Sequence, residues 1–166
     1  MGFDFISFFP RAVIQGIPLL FGSTGEILTE KSGNLNLGIP GIMYVGGISG
    51  VIGAFFYERA AGGTLNPVLA ILIPILSSLL GSLLMGLLYC FLTVTLRANQ
   101  NVTGLALTTF GMGVANFFGV FILNGASYTA APLAYKAFSA MIPVLSGLGV
   151  VGEVLFSYGF LAYAAI

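Results

Sequence analysis

The chain has 166 residues, of which 58% are hydrophobic and only 6% are charged, and its mean hydropathy is +1.07. A soluble domain covers its surface with polar groups and is about one quarter charged, so this composition excludes an ordinary soluble protein. Five basic residues balance five acidic ones, which excludes a basic surface for nucleic acid.

Long uncharged runs predict a polytopic membrane protein made of helices. Residues 32–57, 60–96 and 98–135 carry no charge, and each run exceeds the roughly 20 residues that a helix needs to cross a hydrocarbon core about 30 Å thick. These runs are apolar on every side, whereas the strands of a membrane barrel alternate apolar and polar residues. We therefore predict an all-α membrane protein, a helical bundle with about five transmembrane segments. The bundle should form a single transmembrane domain over residues 1–166.

The first three predicted helices follow one another with clear boundaries. The first covers residues 11–28, and the second covers 39–57, after which aromatic and charged residues mark a membrane interface. Asn66 then has the chemistry of a helix N-cap, and Pro67 that of a first helical position. The third helix is predicted over 67–95 and is longer than one membrane crossing requires.

The remaining predicted segments are a fourth helix, a long connection and an incomplete fifth helix. The fourth helix is predicted over 102–123, and the connection over 124–152. The last run, 154–166, is too short to cross a membrane. We therefore expect the chain to stop inside a fifth helix.

Small residues recur along three of the predicted helices, which predicts close contact between them. They are Gly46, Gly50 and Gly53 in the second helix, Ser78, Ser82, Gly86 and Cys90 in the third, and Gly104, Thr108, Gly111, Ala115 and Gly119 in the fourth. Helices in lipid associate through close backbone approach, which small side chains allow. Bundle packing alone explains such stripes, and sliding surfaces for a conformational cycle are a second interpretation.

The stretch TEKSGNLNLGIPG, residues 29–41, predicts a broken segment between the first two helices. In a helix interior, glycine costs about 1 kcal/mol and proline about 3 kcal/mol. Irregular backbone at membrane depth persists only inside protein or beside a water-filled cavity, because lipid offers it no hydrogen-bond partner. An ordinary interfacial loop explains the stretch as well as a transport path does. In the transport interpretation, residues 32–38 face the path, and Asn34 and Asn36 present their amides to water or substrate.

Catalytic chemistry has little support in this composition. The chain has no histidine, one cysteine (Cys90) and a single aspartate, Asp4. A serine nucleophile needs a base, an aspartyl pair needs two carboxylates, and a zinc site needs several Cys or His ligands. A glycine-rich nucleotide loop is also absent from the sequence. We therefore predict no catalytic residue, no metal site and no cofactor.

Three blocks of the sequence carry a resemblance to a known family. They are EKSGNLNLGIPGIM with the VGGISG that follows it, LRANQNVTGLALTTFGMG at 96–113, and IPVLSGLGVVGEVLF at 142–156. In this order they resemble permease subunits of bacterial ABC importers for nucleosides and simple sugars, which are related to the ribose and branched-chain amino-acid permeases. The first block departs from the family pattern at Pro40, where an acidic residue is common.

The resemblance implies a fold with helices packed around a central translocation pathway in the plasma (inner) membrane of a bacterium. It implies ATP-binding cassette subunits in the cytoplasm, a second permease subunit, an extracellular substrate-binding protein that is often a lipoprotein, and surrounding membrane lipid. ATP hydrolysis then belongs to the partner subunits. Family members are longer, and their coupling segment has no match in residues 1–166, so the chain resembles the N-terminal half of a permease. The family's orientation places 29–38 toward the cytoplasmic side and 124–152 outside, as a ledge where the binding protein docks.

Two interpretations follow for the function. In the first, the chain is a transmembrane permease subunit that forms part of the pathway for a nucleoside or a simple sugar. In the second, it is a membrane-embedded structural or assembly protein with no transport path of its own. Polar side chains near the bundle favour the first interpretation, because packing alone gains nothing from them. The predicted pathway residues are Ser32, Asn34, Asn36, Gln100, Asn101, Thr108 and Asn116.

Overall fold

A computed structural model of the protein describes residues 5–62 and 65–123, together with 131, 135–136, 138, 158–159 and 162–163. Its elements in chain order are α1 (Phe5–Lys31), α2 (Ile39–Ala60), α3 (Pro67–Cys90), a π-helical segment that continues α3 (Phe91–Thr95), and α4 (Gln100–Leu123). The described residues contain no strand. The prediction of an all-α protein is therefore confirmed.

Four helical stretches are long and apolar enough to cross a membrane, which confirms the prediction of a multi-pass membrane protein. They are Phe8–Lys31, Ile39–Ala60, Pro67–Thr95 and Gln100–Ile122. The predicted fifth segment at 154–166 and the predicted connection at 124–152 lie outside the described residues, apart from isolated positions.

Side-chain caps explain where two of these helices begin. The Oδ1 atom of Asn66 accepts a hydrogen bond from the backbone N–H of Val68 at 3.0 Å, as the predicted N-cap requires. The Oδ1 atom of Asn99 accepts one from the N–H of Asn101 at the same distance. Because Asn99 acts as a cap, α4 begins at Gln100, two residues before the predicted start.

The chain divides into two compact units, one formed by residues 1–24 and 135–166 and the other by residues 25–134. In the first unit the rings of Tyr158 and Tyr163 meet edge to face, with their centroids 6.1 Å apart. The second unit contains α2, α3, α4 and the last turns of α1. The expectation of a single transmembrane domain stays a prediction.

Within the second unit, α2 packs along α3 through small residues, as the stripes predict. A Cβ atom added to Gly53 would lie 2.7 Å from the Cβ of Ser77, and one added to Gly81 would lie 2.7 Å from the Cβ of Ser49. These distances are too short for a real side chain, so the two helices make the close approach that small residues permit in lipid. Similar contacts pair Gly46 with Ser82 and Gly50 with Ser78.

The predicted stripe on α3 does not continue into this contact at its C-terminal end. A Cβ added to Gly86 would meet no atom within 4 Å, and Cys90 is exposed. A helix repeats every 3.6 residues, so a strict four-residue spacing drifts about 40° around the axis at each step. This drift explains why Gly81, which lies outside the predicted stripe, joins the contact with α2.

A second close crossing joins α2 to α4. A Cβ added to Gly111 would lie 2.7 Å from the Cα of Gly41, and one added to Gly41 would lie 2.7 Å from the Cα of Thr108. Gly111 and Thr108 both belong to the predicted stripe on α4. This crossing brings the start of α2, and therefore the segment that precedes it, against α4.

The buried core of the second unit lies beside this crossing. It consists of Met85 and Tyr89 from α3 and Leu107 from α4, with Ile42 and Val45 packed against them. Three of the five side chains are buried and belong to helices that meet near the start of α2. The core therefore supports the segment that joins α1 to α2.

Large apolar side chains are exposed along all four helices. Examples are Leu19 on α1 at 70% exposure, Phe56 on α2 at 60%, Leu84 on α3 at 67% and Phe121 on α4 at 70%. In water, such continuous apolar surface would promote association. In a bilayer it is the surface that lipid contacts.

Candidate functional site

Residues 32–38 are not helical and separate α1 from α2, and we refer to them as the break. The chain leaves α1 at Gly33, whose φ of +85° is a left-handed conformation that favours glycine. The N–H of Gly33 donates to the carbonyl of Glu30 at 2.9 Å, and the N–H of Asn34 donates to the carbonyl of Thr29 at 3.1 Å. These two bonds form a Schellman motif, which closes the end of a helix. The predicted interruption between the two helices is confirmed, but it covers residues 32–38, because residues 29–31 and 39–41 belong to α1 and α2.

Asn36 holds the other end of the break and is only 5% exposed. Its Oδ1 atom accepts a hydrogen bond from the N–H of Gly38 at 2.9 Å. This bond satisfies a backbone donor immediately before α2, which begins at Ile39. The amide oxygen of Asn36 is therefore used by the protein itself.

Side chains from α3 and α4 hydrogen-bond both backbone groups of Leu35. The N–H of Leu35 donates to Oε1 of Gln100 at 3.0 Å. The hydroxyl of Tyr89 donates to the carbonyl of Leu35 at 2.8 Å. Tyr89 belongs to the buried core and is 5% exposed, so the break is connected directly to the packed centre of the unit.

The next two residues of the break are held from α1 and α4. The N–H of Asn36 donates to Oε1 of Glu26 at 3.0 Å. The hydroxyl of Thr108 donates to the carbonyl of Leu37 at 2.8 Å. Thus four side chains on three helices bind four backbone groups of three consecutive residues that lie outside any helix. Membrane interiors require this kind of compensation, because unpaired backbone groups are costly there.

The backbone of the break also lies directly against α4. A Cβ added to Gly104 would lie 2.9 Å from the backbone nitrogens of both Leu37 and Gly38. Only glycine at position 104 permits this approach. Gly104 was predicted as a packing residue of α4, and the structure shows that its neighbour is the irregular segment itself.

Five of the seven predicted pathway residues come together at the break. Asn34 and Asn36 belong to it. Gln100 accepts a hydrogen bond from its backbone, and Thr108 donates one to its backbone. Ser32 lies at its exposed start, where its hydroxyl donates to the carbonyl of Thr29 at 2.6 Å. The site that the structure assembles is therefore centred on residues 34–37.

The other two predicted pathway residues lie apart from this group. Asn101 is exposed, and its backbone N–H donates to the Asn99 cap. Asn116 is also exposed and lies eight residues beyond Thr108 on α4, about 12 Å along the helix axis at 1.5 Å per residue. Their assignment to the pathway stays a prediction.

The side-chain oxygen of Asn34 has unusual hydrogen bonding for a buried polar atom. This Oδ1 atom is shielded from solvent and accepts no hydrogen bond from the residues that the structure describes. Buried polar side-chain atoms normally have a partner, so an exception calls for an explanation. A donor supplied by water or by a transported solute would satisfy this oxygen.

Sequence reasoning missed two residues of the site, Glu26 and Tyr89. Glu26 was treated as part of the first helix, although a carboxylate in a membrane helix requires a partner. Tyr89 lies in the leucine-rich run of α3, where a buried phenol normally finds a hydrogen-bond acceptor. Each residue thus carried a signal that it had a polar partner, but the identity of that partner depends on how the helices pack.

The remaining features of the unit are poorer candidates for a polar solute. An open cavity of about 360 Å³ lies between the end of α3 and α4, and its lining is mostly apolar, including Leu88, Leu92, Ala106 and Phe110. Among the residues that the structure describes, no three His, Cys, Asp or Glu side chains are arranged to hold a metal ion. The break therefore remains the best candidate site.

Comparison with known proteins relates this chain to ABC transporter permease proteins. It is 25% identical over 148 residues to the guanosine ABC transporter permease protein of Bacillus subtilis, a match that covers 89% of this chain and 44% of that protein. It is 32% identical over 157 residues to the nucleoside ABC transporter permease protein of Lactococcus lactis subsp. cremoris, covering 90% of this chain and 46% of that protein.

A third relative is an ABC transporter permease protein of Haloferax volcanii whose name provisionally assigns glucose to it. The identity is 31% over 106 residues, covering 61% of this chain and 27% of that protein. This chain therefore spans less than half the length of the curated relatives it matches here. No family profile and no solved structure matches it.

Proposed function

Because this chain is homologous over most of its length to permease proteins of ABC transporters, we propose that it is a permease subunit of an ABC importer. In this role its helices form part of the translocation pathway through the plasma (inner) membrane of a bacterium. The break contributes the polar surface of that pathway. The chain hydrolyses no ATP itself, and that reaction belongs to separate subunits.

The observation that carries this proposal is the hydrogen bonding of the break. A loop at the membrane surface can use water for its backbone groups, whereas Leu35, Asn36 and Leu37 use side chains from three helices. Such an arrangement belongs to irregular backbone enclosed by helices, which in transporters lines a binding site or path. The Oδ1 atom of Asn34, which accepts no hydrogen bond from any described residue, supports this interpretation, because a passing solute could donate to it.

A nucleoside is the first substrate class to test, and a simple sugar is the second. Two of the three relatives are named for nucleosides or guanosine, and one is named for glucose. Both classes present hydroxyl donors, and nucleobases add amide-like donors and acceptors. Asparagine and glutamine amides can pair with all of these groups.

The partners belong to the same proposal. An ABC importer requires ATP-binding cassette subunits on its cytoplasmic side, a second permease subunit and an extracellular substrate-binding protein. The relatives' names place them in ABC transporters, which supports partners from an ABC transporter in general, whereas the specific subunits are part of the proposal. Which proteins fill these positions is a matter for co-purification from the native membrane.

Uptake by the assembled transporter tests the proposal. We expect deletion of this reading frame to abolish uptake of labelled guanosine or labelled glucose, and the intact gene to restore it. Asn34→Leu should reduce the restored uptake while leaving the amount of protein in the membrane unchanged. Gln15→Leu is the matched control, because Gln15 is an exposed amide on α1 outside the break.

The second interpretation, a structural or assembly protein, makes the opposite prediction. Deletion would then lower the amount of other membrane proteins without a selective loss of nucleoside or sugar uptake. Uptake that is unchanged by deletion and by Asn34→Leu would exclude the transport proposal.

A further inference from the structure

We infer that Glu26 is a positioning residue for the pathway, which acts by fixing the backbone of Asn36 rather than by touching the transported solute. Glu26 lies in the last turns of α1, ten positions before Asn36. The inference rests on the proposed function for its effect on uptake. The contact between Glu26 and the break can be tested without any transport.

One carboxylate oxygen of Glu26 accepts a hydrogen bond from the break, and the other lies near the hydroxyl of Thr29, whose shorter bond, at 2.8 Å, goes to the backbone carbonyl of Glu26. Oε1 accepts from the N–H of Asn36 at 3.0 Å, and Oε2 lies 3.3 Å from the hydroxyl of Thr29. The Thr29 carbonyl in turn accepts from the N–H of Asn34 at 3.1 Å. Glu26 therefore binds the backbone N–H of Asn36, and Thr29, three residues later on α1, binds the backbone N–H of Asn34.

Asn36 passes this constraint on to α2. While its N–H is bound by Glu26, its Oδ1 atom accepts from the N–H of Gly38 at 2.9 Å. One residue therefore connects the end of α1 to the beginning of α2. A shift of the Asn36 backbone would therefore move the start of α2, which follows it.

This geometry requires the side chain at position 26 to place a hydrogen-bond acceptor within reach of the Asn36 N–H. Glutamine has the same length as glutamate and offers an oxygen to Asn36, and its NH2 group can donate to the Thr29 hydroxyl. Aspartate keeps the charge but is one methylene shorter, so its oxygens fall short of the Asn36 N–H. Comparing the two substitutions therefore shows whether the length or the charge of the side chain at position 26 matters.

Glu30 provides the matched control. It lies one turn later on α1, is exposed, and contributes only its backbone carbonyl to the break. Glu30→Asp and Glu30→Gln therefore change length and charge on the same helix without removing a side-chain contact to Asn36.

The direct test measures how firmly the break is held. Cys90 is replaced by alanine, and a single cysteine is introduced at Leu35, whose side chain is 38% exposed. Its reaction with a water-soluble thiol reagent is followed in membranes. We expect Glu26→Asp to raise the reaction rate about tenfold, because the break is then held less firmly. Tenfold is the factor expected for losing one hydrogen bond to a charged acceptor. Glu26→Gln and both Glu30 variants should leave the rate close to that of the parent.

Uptake by the assembled transporter supplies the second readout. We expect a large loss of uptake with Glu26→Asp and near-normal uptake with Glu26→Gln. The reverse pattern would overturn the inference, since it would show that the charge and not the reach of Glu26 matters. Equal thiol rates for Glu26→Asp and Glu30→Asp would also overturn it. Absent uptake by the unsubstituted transporter would instead refute the proposed function and leave the thiol result to decide the role of Glu26.

Discussion

The contact between α2 and α3 and the break between α1 and α2 are stabilised by different means within one unit of the chain. The helix contact depends on size, since glycines of one helix lie against serines of the other. The break depends on polarity, since four side chains bind its backbone. The difference has a physical cause. A helix satisfies its own backbone groups and needs only shape to associate in lipid, whereas an interrupted backbone must find partners elsewhere.

The largest expected effect tests the size requirement at the helix contact. In Gly81→Val the new Cβ would lie 2.7 Å from the Cβ of Ser49 and 3.2 Å from the carbonyl oxygen of Val45. We expect a loss of about 3 kcal/mol in the free energy of unfolding, the upper end of the usual cost of overpacking. Reversible denaturation in detergent micelles would measure it.

Gly86→Val is the control for this prediction, because an added Cβ at Gly86 meets no atom within 4 Å. Both substitutions carry the same cost in helix propensity on the same helix. Equal losses for the two variants would contradict close packing at Gly81.

The second prediction tests the polar requirement where the break meets the core. Tyr89→Phe keeps the ring and removes the hydroxyl that binds the carbonyl of Leu35. We expect a loss of about 1.7 kcal/mol, the upper limit found for side-chain hydrogen bonds in a membrane protein, because the site is buried. Tyr44→Phe, at a residue that is 52% exposed on α2, should have little effect. A neutral Tyr89→Phe would show that the break does not need this bond.

A smaller loss is expected from Thr108→Val, which preserves the shape of the side chain. It removes the hydroxyl that donates to the carbonyl of Leu37. Because Thr108 is less buried than Tyr89, we expect about 0.6 kcal/mol, the average for such bonds between membrane helices. Thr109→Val is the neighbouring control, since the hydroxyl of Thr109 binds the carbonyl of Leu105 within its own helix. Indistinguishable stabilities of the two variants would argue against a specific role for Thr108.

The smallest effect is expected at the helix contact when polarity is changed without adding size. Ser49→Ala removes a hydroxyl that lies against Gly81 and leaves the close approach of the helices intact. We expect a change within about 0.5 kcal/mol, as for substitutions that disturb no specific feature. A loss as large as that of Tyr89→Phe would remove the distinction between the two regions.

Local features of the sequence were sufficient to predict that these helices exist, although α1 begins at Phe5, six residues before its predicted start. Apolar runs predicted the spans, Asn66 and Pro67 predicted the start of α3, and Gly33 with Pro40 predicted the interruption. These features act within a few residues of chain, through backbone preference and the need to bury apolar surface. Prediction was weaker at the start of α4, because the Asn99 cap was not recognised.

The sequence by itself determined that this protein spans a membrane and that its first two helices are separated by a break rich in polar groups. Only the tertiary structure decided which groups satisfy that break. Its partners lie 10, 54, 65 and 71 positions away from the residues they bind. At such separations a contact depends on which faces of the helices meet, and that choice follows from the combined packing of small residues on α2, α3 and α4. Glu26 and Tyr89 therefore acquire their roles from the assembled bundle.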